Sequence, residues 1–332
     1  MGCRLDYTGI PLGNARIACG PMKIHHYQAM TMIHDRRETA RLLPFPELVE
    51  TLRGTMLDYR QGAIVCPERL VVPLRDGDVM LSMPATAPDI AIHKLVNICP
   101  SNAKRGLPTI HGFVNAFDIH SGVPLFSLDG PTVTGRRTAA VSMLGILTLH
   151  GRAPTGIAMI GTGAQAANHV QAIAAVFPGV RVWIKGRNAA QAASFCEENA
   201  LAQIDLLPIG GGEIPEEADV VLTATTSKAP VYAHAPAAGR LLIGVGAFTP
   251  DAAEVAPGVV LGSTVYVDDP LGARHEAGDL IQAGADWSRV LPLADAIASG
   301  RVADGPLFFK SVGCAAWDLA ACRVAQAMLA RS

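Results

Sequence analysis

The feature that most constrains the fold is an apolar run followed at once by a glycine-rich turn and a helical stretch. Residues 157–160 lead into Gly161-Thr162-Gly163-Ala164-Gln165-Ala166, a G-x-G-x-x-A pattern. In a dinucleotide-binding fold the first glycine permits a tight turn, the second lets backbone N–H groups approach a pyrophosphate, and the third small residue allows close helix packing. A second apolar run follows at residues 180–184. This context predicts a βαβ unit rather than an ordinary glycine-rich turn.

The residues after the second apolar run indicate which dinucleotide binds. NAD sites usually carry an Asp or Glu there, which bonds the ribose 2′-hydroxyl. Residues 180–195 contain no acid and offer Lys185 and Arg187 instead. Two cations suit a 2′-phosphate, so we predict NADPH as the cofactor, with NADH as the second possibility. The alternative is that both side chains are solvated surface charges.

The two halves of the chain differ in their apolar rhythm. Residues 63–119 mix β-branched residues with partial alternation and turn formers, which predicts a mostly antiparallel sheet, preceded by a helix over residues 46–61. The second half alternates continuous apolar runs with helical stretches, which is typical of a parallel sheet covered on both faces. Its predicted strands are 156–160, 180–184, 220–224, 241–245 and 264–267.

These patterns predict an α/β protein of two domains, and 332 residues is about twice the usual domain length. Residues 1–130 form the first domain, which is α+β. Residues 131–305 form a Rossmann dinucleotide-binding domain. Residues 306–332, in which residues 315–329 are amphipathic, are expected to return to the first domain.

Composition excludes several classes of protein. The 27 Lys and Arg against 29 Asp and Glu give a net charge of −2 with no block of like charges, so nothing attracts nucleic acid or a membrane surface. No apolar run approaches the roughly 20 residues that span a bilayer. Seven cysteines with no C-x-x-C pair indicate reduced thiols and a cytoplasmic protein. The histidines fit no zinc spacing, so we predict no metal.

Three cations of the first 140 residues stand among apolar neighbours, namely Arg69, Lys94 and Arg137. A buried cation is costly unless it is paired, so such residues favour a position facing a ligand. Exposure at the surface is the alternative for each. If they face one site, that site is suited to a carboxylate.

Several motifs occur together in the order typical of one family. The chain resembles the ornithine cyclodeaminase and mu-crystallin family from about Leu42 to the C-terminus. The motifs are Pro67-Glu68-Arg69, Ser82-Met83-Pro84-Ala85, Lys94-Leu95-Val96, Gly106-Leu107-Pro108-Thr109, Thr134-x-x-Arg137-Thr138-Ala139-Ala140, Gly161-Thr162-Gly163-Ala164-Gln165-Ala166, Thr223-Ala224-Thr225-Thr226-Ser227 and Phe309-Lys310-Ser311-Val312-Gly313.

The resemblance implies a homodimer in which the first domain binds substrate and forms the dimer contact. It assigns Arg69, Lys94, Thr109 and Arg137 to the substrate, with Lys94 as the catalytic group for proton transfer. The resemblance also implies which residues bind the cofactor. With the glycine turn and the two cations included, the predicted cofactor-binding residues are Arg137, Thr138, Gly161, Thr162, Gly163, Ala164, Gln165, Lys185, Arg187, Asn188, Thr223, Thr225, Val245, Lys310 and Ser311.

One departure from the family selects among its chemistries. Cyclodeaminases carry an Asp after the glycines of the fourth Rossmann strand, where this chain has Phe248. The Gly-Ala-Phe-Thr-Pro form resembles the Δ1-pyrroline-2-carboxylate reductase branch, also called ketimine reductases. This implies NADPH-dependent reduction of Δ1-pyrroline-2-carboxylate or Δ1-piperideine-2-carboxylate to L-proline or L-pipecolate. The alternatives are an ornithine cyclodeaminase or alanine dehydrogenase, and an NADPH-binding protein without turnover, like some mu-crystallins.

The first 30 or so residues show no resemblance to the family. Met30, Met32 and residues 35–43 look more like a natural start. We expect residues 1–31 to be either an extension from an upstream start site or an arm specific to one lineage.

Overall fold

Two β-sheets, one largely antiparallel and one parallel, account for the two apolar rhythms of the sequence. The computed structural model describes residues 32–210 and 213–331. The expectation for residues 1–31 lies outside these described residues. The predicted α/β class, with a Rossmann sheet beside an α+β part, is confirmed.

The first sheet contains six strands, in the spatial order β1-β6-β5-β4-β3-β2. The strands are β1 (Met32–His34), β2 (Leu70–Pro73), β3 (Val79–Thr86), β4 (Ala91–Ile98), β5 (Ile110–Phe117) and β6 (Pro124–Asp129). All neighbours pair antiparallel except β1 with β6. The alternation of buried and exposed residues along β3 and β4 gives the sheet one buried face and one open face.

Helices cover the buried face of this sheet. Helices α1 (Arg36–Leu42) and α3 (Gly130–Gly145) contact its strands, and α2 (Phe45–Arg60) packs on α3. Helix α3 continues into a π-helical turn over Ile146–His150. Helix α1 begins at a capping box in which Asp35 accepts from the backbone of Glu38 and the Glu38 side chain accepts in return. The predicted helix over residues 46–61 is confirmed with a shift of one residue at each end.

The second sheet contains eight parallel strands, in the order β13-β12-β14-β11-β10-β7-β8-β9. The strands are β7 (Gly156–Ile160), β8 (Arg181–Lys185), β9 (Asp205–Pro208), β10 (Val220–Thr223), β11 (Leu241–Gly244), β12 (Thr264–Val267), β13 (Leu291–Pro292) and β14 (Leu307–Lys310). The five predicted strands are present within one residue of their predicted ends. Every residue of β7, β10 and β11 is buried, which explains their continuous apolar sequence.

The remaining helices connect or follow the parallel strands. They are α4 (Ala164–Val176), α5 (Ala189–Glu198), α6 (Pro257–Leu261), α7 (Pro270–Glu276), α8 (Gly278–Ala283), α9 (Leu293–Ser299) and α10 (Ala315–Leu329). Within the described residues, no helix is both long enough and apolar enough to cross a bilayer.

The C-terminal segment is divided between the two sheets. Strand β14 lies between β11 and β12, so residues 307–310 belong to the parallel sheet. Helix α10 packs on α2, α3, β3 and β4 of the first sheet. The predicted return at residue 306 is therefore corrected: it begins after β14, whose four-residue sequence was too short to predict as a strand. The boundary at residue 130 stays a prediction.

The strand order creates a crevice at one edge of the parallel sheet. From β7 the chain passes to β8 and β9 on one side, and then β10 pairs on the other side of β7. Neighbouring loops therefore leave the carboxyl ends of β7 and β10 in opposite directions. In open α/β sheets, ligands bind in such a crevice.

Candidate active site

The turn after β7 has the backbone conformation that the glycine pattern predicts. Gly161 has a φ of 130°, and a Cβ atom there would collide with the carbonyl of Ala224 after β10. Its N–H donates to the carbonyl of Lys185 at 2.9 Å. The turn is thus held between both neighbouring strands, and only glycine fits this position.

The turn delivers the N-terminus of α4 to the crevice. Gly163 is the N-cap residue, so no side chain satisfies the first N–H groups of the helix, and the first turn carries no acid. Free N–H groups and the helix dipole together favour an anion. The buried Oε1 of Gln165 also has no hydrogen-bond partner in the described part of the chain. These groups fit a pyrophosphate and the polar atoms around it.

A cleft of about 700 Å³ opens at these two strand ends, and Gly161, Lys185, Arg187 and Thr225 are among its lining residues. No ion pair to Lys185 or Arg187 is present among the described residues. The Nε of Arg187 makes only a long contact, 3.4 Å, to the amide oxygen of Gln191. Two cations without acidic partners at the end of β8 fit a ribose 2′-phosphate.

Three of the predicted cofactor residues lie buried at the same edge and are bonded to acids of the chain itself. The hydroxyl of Thr223 donates to Glu254, and the hydroxyl of Ser311 donates to Asp268, both at 2.9 Å. Lys310 lies 3.1 Å from Asp279, and both side chains are fully buried. The contacts of these residues with a cofactor stay predictions.

The other predicted cofactor residues surround the cleft or the helix ends beside it. Thr162 and Gly163 line the cleft. Ala164 begins α4, the Asn188 side chain caps α5, and Val245 follows β11. Thr138 lies on α3 beside Arg137 and is buried. Sequence reasoning missed Gln191 and Ser227, which also line the cleft.

A cluster of buried charges lies where α3, β4 and α10 meet. Lys94 is 2% exposed, and its Nζ donates to both carboxylate oxygens of Asp318, at 3.0 and 3.1 Å. The Nε of Arg137 lies 3.4 Å from the same carboxylate. Asp318 is fully buried. One acid of the last helix therefore holds two of the three predicted cations together.

Arg69 joins this cluster from the loop before β2. Its Nη2 donates to the carbonyl of Gly313 at 2.7 Å and lies 2.7 Å from the carboxylate of Glu276 at the end of α7. Gly313 in turn donates its N–H to Asp268 at 3.0 Å. Arg69 thus contacts the loop between β14 and α10, beside the other two cations.

Burial sets the proton affinity of two groups in the cluster. It lowers the pKa of Lys94 to about 8, an effect that the Asp318 carboxylate opposes and that Arg137 and Arg69 reinforce. It raises the pKa of Glu276 to about 7, an effect that Arg69 opposes. Both groups therefore change charge near neutral pH, as proton donors and acceptors in active sites do.

Arg137 is the residue of the cluster best suited to bind an anion. The residue is 6% exposed, yet its guanidinium makes no hydrogen bond in the part of the chain that the structure describes. Its one ionic contact is the 3.4 Å approach of Nε to Asp318. A buried guanidinium with unused donors is costly unless a ligand satisfies them, and its planar fork matches a carboxylate.

Thr109 lies apart from this cluster in the structure. It is exposed, and its carbonyl accepts from the backbone of Cys99. Lys94 pairs with Val114 on β5, so Thr109 lies about 17 Å along the strand from that position. Its predicted contact with substrate therefore lacks support from the geometry. The described residues also contain no group of three His, Cys, Asp or Glu side chains that could hold a metal ion.

Two acids of the site escaped the sequence reasoning. Asp318 is the one acid of α10 and stands in a run of apolar residues, and that isolated acid was the available signal. Glu276 ends α7, and its carboxylate pairs with Arg69 of the predicted first domain. Neither partner is near in sequence, so the pairings depend on the fold.

The comparisons with known proteins agree with this geometry. The profile of the Ornithine cyclodeaminase/mu-crystallin family matches residues 29–330, nearly the whole chain. The chain belongs to this family. The match begins somewhat before Leu42, where the quoted motifs first indicated it.

Relatives in the family include two with more than half of their residues identical. Delta(1)-pyrroline-2-carboxylate reductase 2 of Burkholderia ambifaria is 58% identical over 88% of this chain and 94% of its own length. The Delta(1)-pyrroline-2-carboxylate/Delta(1)-piperideine-2-carboxylate reductase of Azospirillum brasilense is 57% identical over 90% of this chain and 96% of its own length.

A solved structure in the family has the same fold. The Thermococcus litoralis Delta(1)-pyrroline-2-carboxylate reductase, in complex with NADH and L-proline, superposes with a TM-score of 0.82. It is 24% identical, and the match covers 91% of this chain and 98% of that one.

Proposed function

We propose that this protein reduces Δ1-pyrroline-2-carboxylate to L-proline with NADPH, as an oxidoreductase acting on the C=N bond. Relatives at 57–58% identity are named as reductases of this imine, and one name includes the six-membered Δ1-piperideine-2-carboxylate. We include that homologue, with L-pipecolate as its product. The L configuration follows from the family resemblance.

The unsatisfied guanidinium of Arg137 is the observation that carries the proposal. It needs a planar anion, and Arg69 and Lys94 stand beside it to share the charge. Both proposed substrates carry one carboxylate next to the imine carbon. Binding that carboxylate at Arg137 fixes the ring plane and gives the guanidinium hydrogen bonds that no described residue supplies.

Lys94 is the proposed proton donor. Its pKa of about 8 leaves it charged at neutral pH, but with a proton that it can release. Asp318 holds its Nζ in place, so the ammonium is presented from one fixed direction. When bound, a reduced nicotinamide supplies a hydride for the imine carbon. The new N–H bond then takes its proton from Lys94 or from a water that Lys94 holds.

The cofactor assignment rests on the end of β8. Lys185 and Arg187 line the cleft without acidic partners among the described residues, and no acid stands where NAD sites carry one. We therefore propose NADPH in preference to NADH. The Gly161 turn and the uncapped start of α4 would hold its pyrophosphate.

The loop after β11 disfavours an ammonia-releasing cyclodeaminase. Phe248 stands where those enzymes carry an acid and is 42% exposed. The nearest following acid, Asp251, is paired with Lys228 at 2.6 Å. No free carboxylate on this loop is available to handle the distal amine of ornithine.

A homodimer and a cytoplasmic location complete the proposal. The open face of the first sheet carries a row of paired residues, Leu70, Ser82, Leu95 and Phe113, of which the three apolar ones are 40–61% exposed. Such a patch on a sheet face suits a protein contact. The five cysteines among the described residues are free thiols, which fits a reducing compartment.

One pair of assays tests the reaction. The purified protein is incubated with NADPH and Δ1-pyrroline-2-carboxylate, and the loss of reduced cofactor is followed. A parallel reaction contains ornithine and NAD, and released ammonia is measured. We expect cofactor loss in the first and no ammonia in the second. Ammonia without imine reduction would overturn the proposal, and NADPH binding with neither activity would indicate a binding protein.

A further inference from the structure

Glu254 is a fully buried acid at the same edge of the parallel sheet as the cofactor cleft. One carboxylate oxygen accepts from the N–H and the hydroxyl of Thr225, at 2.6 and 2.8 Å. The other accepts from the hydroxyl of Thr223 at 2.9 Å and the N–H of Gly246 at 2.6 Å. Four donors therefore converge on one side chain.

Glu254 acts as the acceptor in all four of these hydrogen bonds. Two of its partners are backbone N–H groups, which can only donate, and the other two are threonine hydroxyls. No Lys, Arg or His of the described residues forms an ion pair with Glu254. The buried charge is thus held by hydrogen bonds alone, a geometry that costs desolvation energy unless every bond is made.

The four donors belong to the last residue of β10 and to the two loops that follow β10 and β11. Thr225 lines the cleft, and Gly246 lies in the loop that leads from β11 to Phe248. A Cβ atom on Gly246 would collide with the carbonyl of Thr225 and with the Glu254 carboxylate. The two loops are therefore in backbone contact, and Glu254 fastens one to the other.

The backbone around Glu254 is fixed from two further directions. Its carbonyl accepts from the N–H groups of Val231 and Tyr232, at 2.7 and 2.9 Å. Its own N–H donates to Asp279 at 2.6 Å, and Asp279 lies 3.1 Å from Lys310. These bonds fix the backbone that carries the carboxylate.

We propose that Glu254 is a positioning residue for the dinucleotide: it holds the loops after β10 and β11 in the conformation that accepts the cofactor. The inference rests on the proposed function, because it takes the cleft to be the NADPH site. It predicts that loss of the carboxylate weakens cofactor binding selectively. The substrate carboxylate site, formed by Arg69, Lys94 and Arg137, is held by other acids and keeps its geometry.

Direct titration of the full-length protein with NADPH, followed by cofactor fluorescence, tests the role without turnover. Glu254→Gln puts an NH2 group against at least one of the four donors. We expect its Kd for NADPH to rise about tenfold or more. At saturating NADPH, the KM for Δ1-pyrroline-2-carboxylate should stay within about twofold of the wild type, because the two sites are supported separately.

Asp219 offers a matched control at the opposite edge of the same sheet. Its carboxylate accepts from the N–H groups of Thr155 and Gly156, at 3.0 and 3.3 Å, where β7 begins. Asp219→Asn also removes a carboxylate that accepts backbone hydrogen bonds, so it should lower the thermal midpoint. Its Kd for NADPH should remain within about twofold of the wild type.

Thr223→Val keeps the test decisive if Glu254→Gln does not fold. It removes one of the four donors at nearly constant shape, and we expect its Kd for NADPH to rise about threefold. The proposal is overturned if a folded Glu254→Gln, or Thr223→Val alone, binds NADPH like the wild type. An equal loss of affinity in Asp219→Asn would also overturn it, since general destabilisation would then explain the effect. Failure of the wild type to bind NADPH would overturn the proposed function instead.

Discussion

Asp318 accepts two hydrogen bonds from Lys94, at 3.0 and 3.1 Å, although 224 residues separate them in the chain. The pair exists because the chain passes from β14 of the parallel sheet into α10, which packs on β3 and β4 of the first sheet. The same carboxylate lies 3.4 Å from Arg137. The last helix thus assembles the proposed active site and sets the charge of its proton donor.

Asp318→Asn should move the pH dependence of the reaction to lower pH. In the wild type, Lys94 donates a proton only while it is charged. The value of kcat/KM is therefore maximal at pH values below the Lys94 pKa of about 8 and falls as the pH rises through that value. The Asp318 carboxylate raises that pKa, and its removal lowers it. Titration of the substrate itself is the same for both proteins. An unchanged alkaline limb, or one moved to higher pH, would contradict the role given to Lys94.

Glu276→Gln should remove a pH dependence of substrate binding. The wild-type Glu276 has a pKa raised to about 7, so it is neutral at lower pH and becomes a competitor for Arg69 as pH rises through 7. The KM for the imine should therefore increase across that range in the wild type and stay nearly flat in the variant. Steady-state kinetics between pH 6 and 7.5 measure this. A KM that rises equally in both proteins would rule out the competition.

Arg187→Ala should reduce the affinity for NADPH about tenfold or more and leave that for NADH within about twofold. The reason is that only NADPH carries the 2′-phosphate that Arg187 is proposed to bind. Arg181 at the other end of β8 is exposed as well and supplies the control, since Arg181→Ala should change neither affinity. Kd values from fluorescence titration decide the matter, and equal losses for both cofactors would refute the phosphate role.

Phe113→Glu should convert the proposed homodimer to monomers. Phe113 is 50% exposed in the centre of the open sheet face, where two copies would place an acid in an apolar contact. Leu261 is 62% exposed at the end of α6, so Leu261→Glu provides a control of similar chemistry. Sedimentation velocity gives the mass of each. A monomeric wild-type protein would exclude the dimer. A Phe113→Glu variant that stays dimeric would place the contact elsewhere.

The parts of the fold that depend on local chemistry could be predicted from the sequence. Strand β7 and its turn were predictable because buried parallel strands are continuously apolar and the turn requires Gly161. Helix α2 was predictable from its apolar spacing. Strand β14 was missed, because four residues of Leu, Phe and Lys carry no period, and only its neighbours define it as a strand.

The candidate site was predicted as a set of cations but not as an arrangement. Arg69, Lys94 and Arg137 stood out because charged residues are unusual in apolar surroundings. Their acids could not be assigned, since Asp318, Glu276 and Glu254 meet partners that only the folded chain brings near. Acids at ordinary helix or loop positions have no local sequence signal for such pairings.

Transfer of label from cofactor to product tests the central claim most directly. The purified protein is given Δ1-pyrroline-2-carboxylate and NADPH that carries deuterium at both C4 positions of the nicotinamide, and the product is analysed by chiral chromatography and mass spectrometry. We predict that the wild-type protein forms L-proline with one deuterium at Cα. Lys94→Met should form the same product about 100-fold or more slowly. Failure to form labelled proline, by a wild-type protein shown to bind NADPH, would contradict the account.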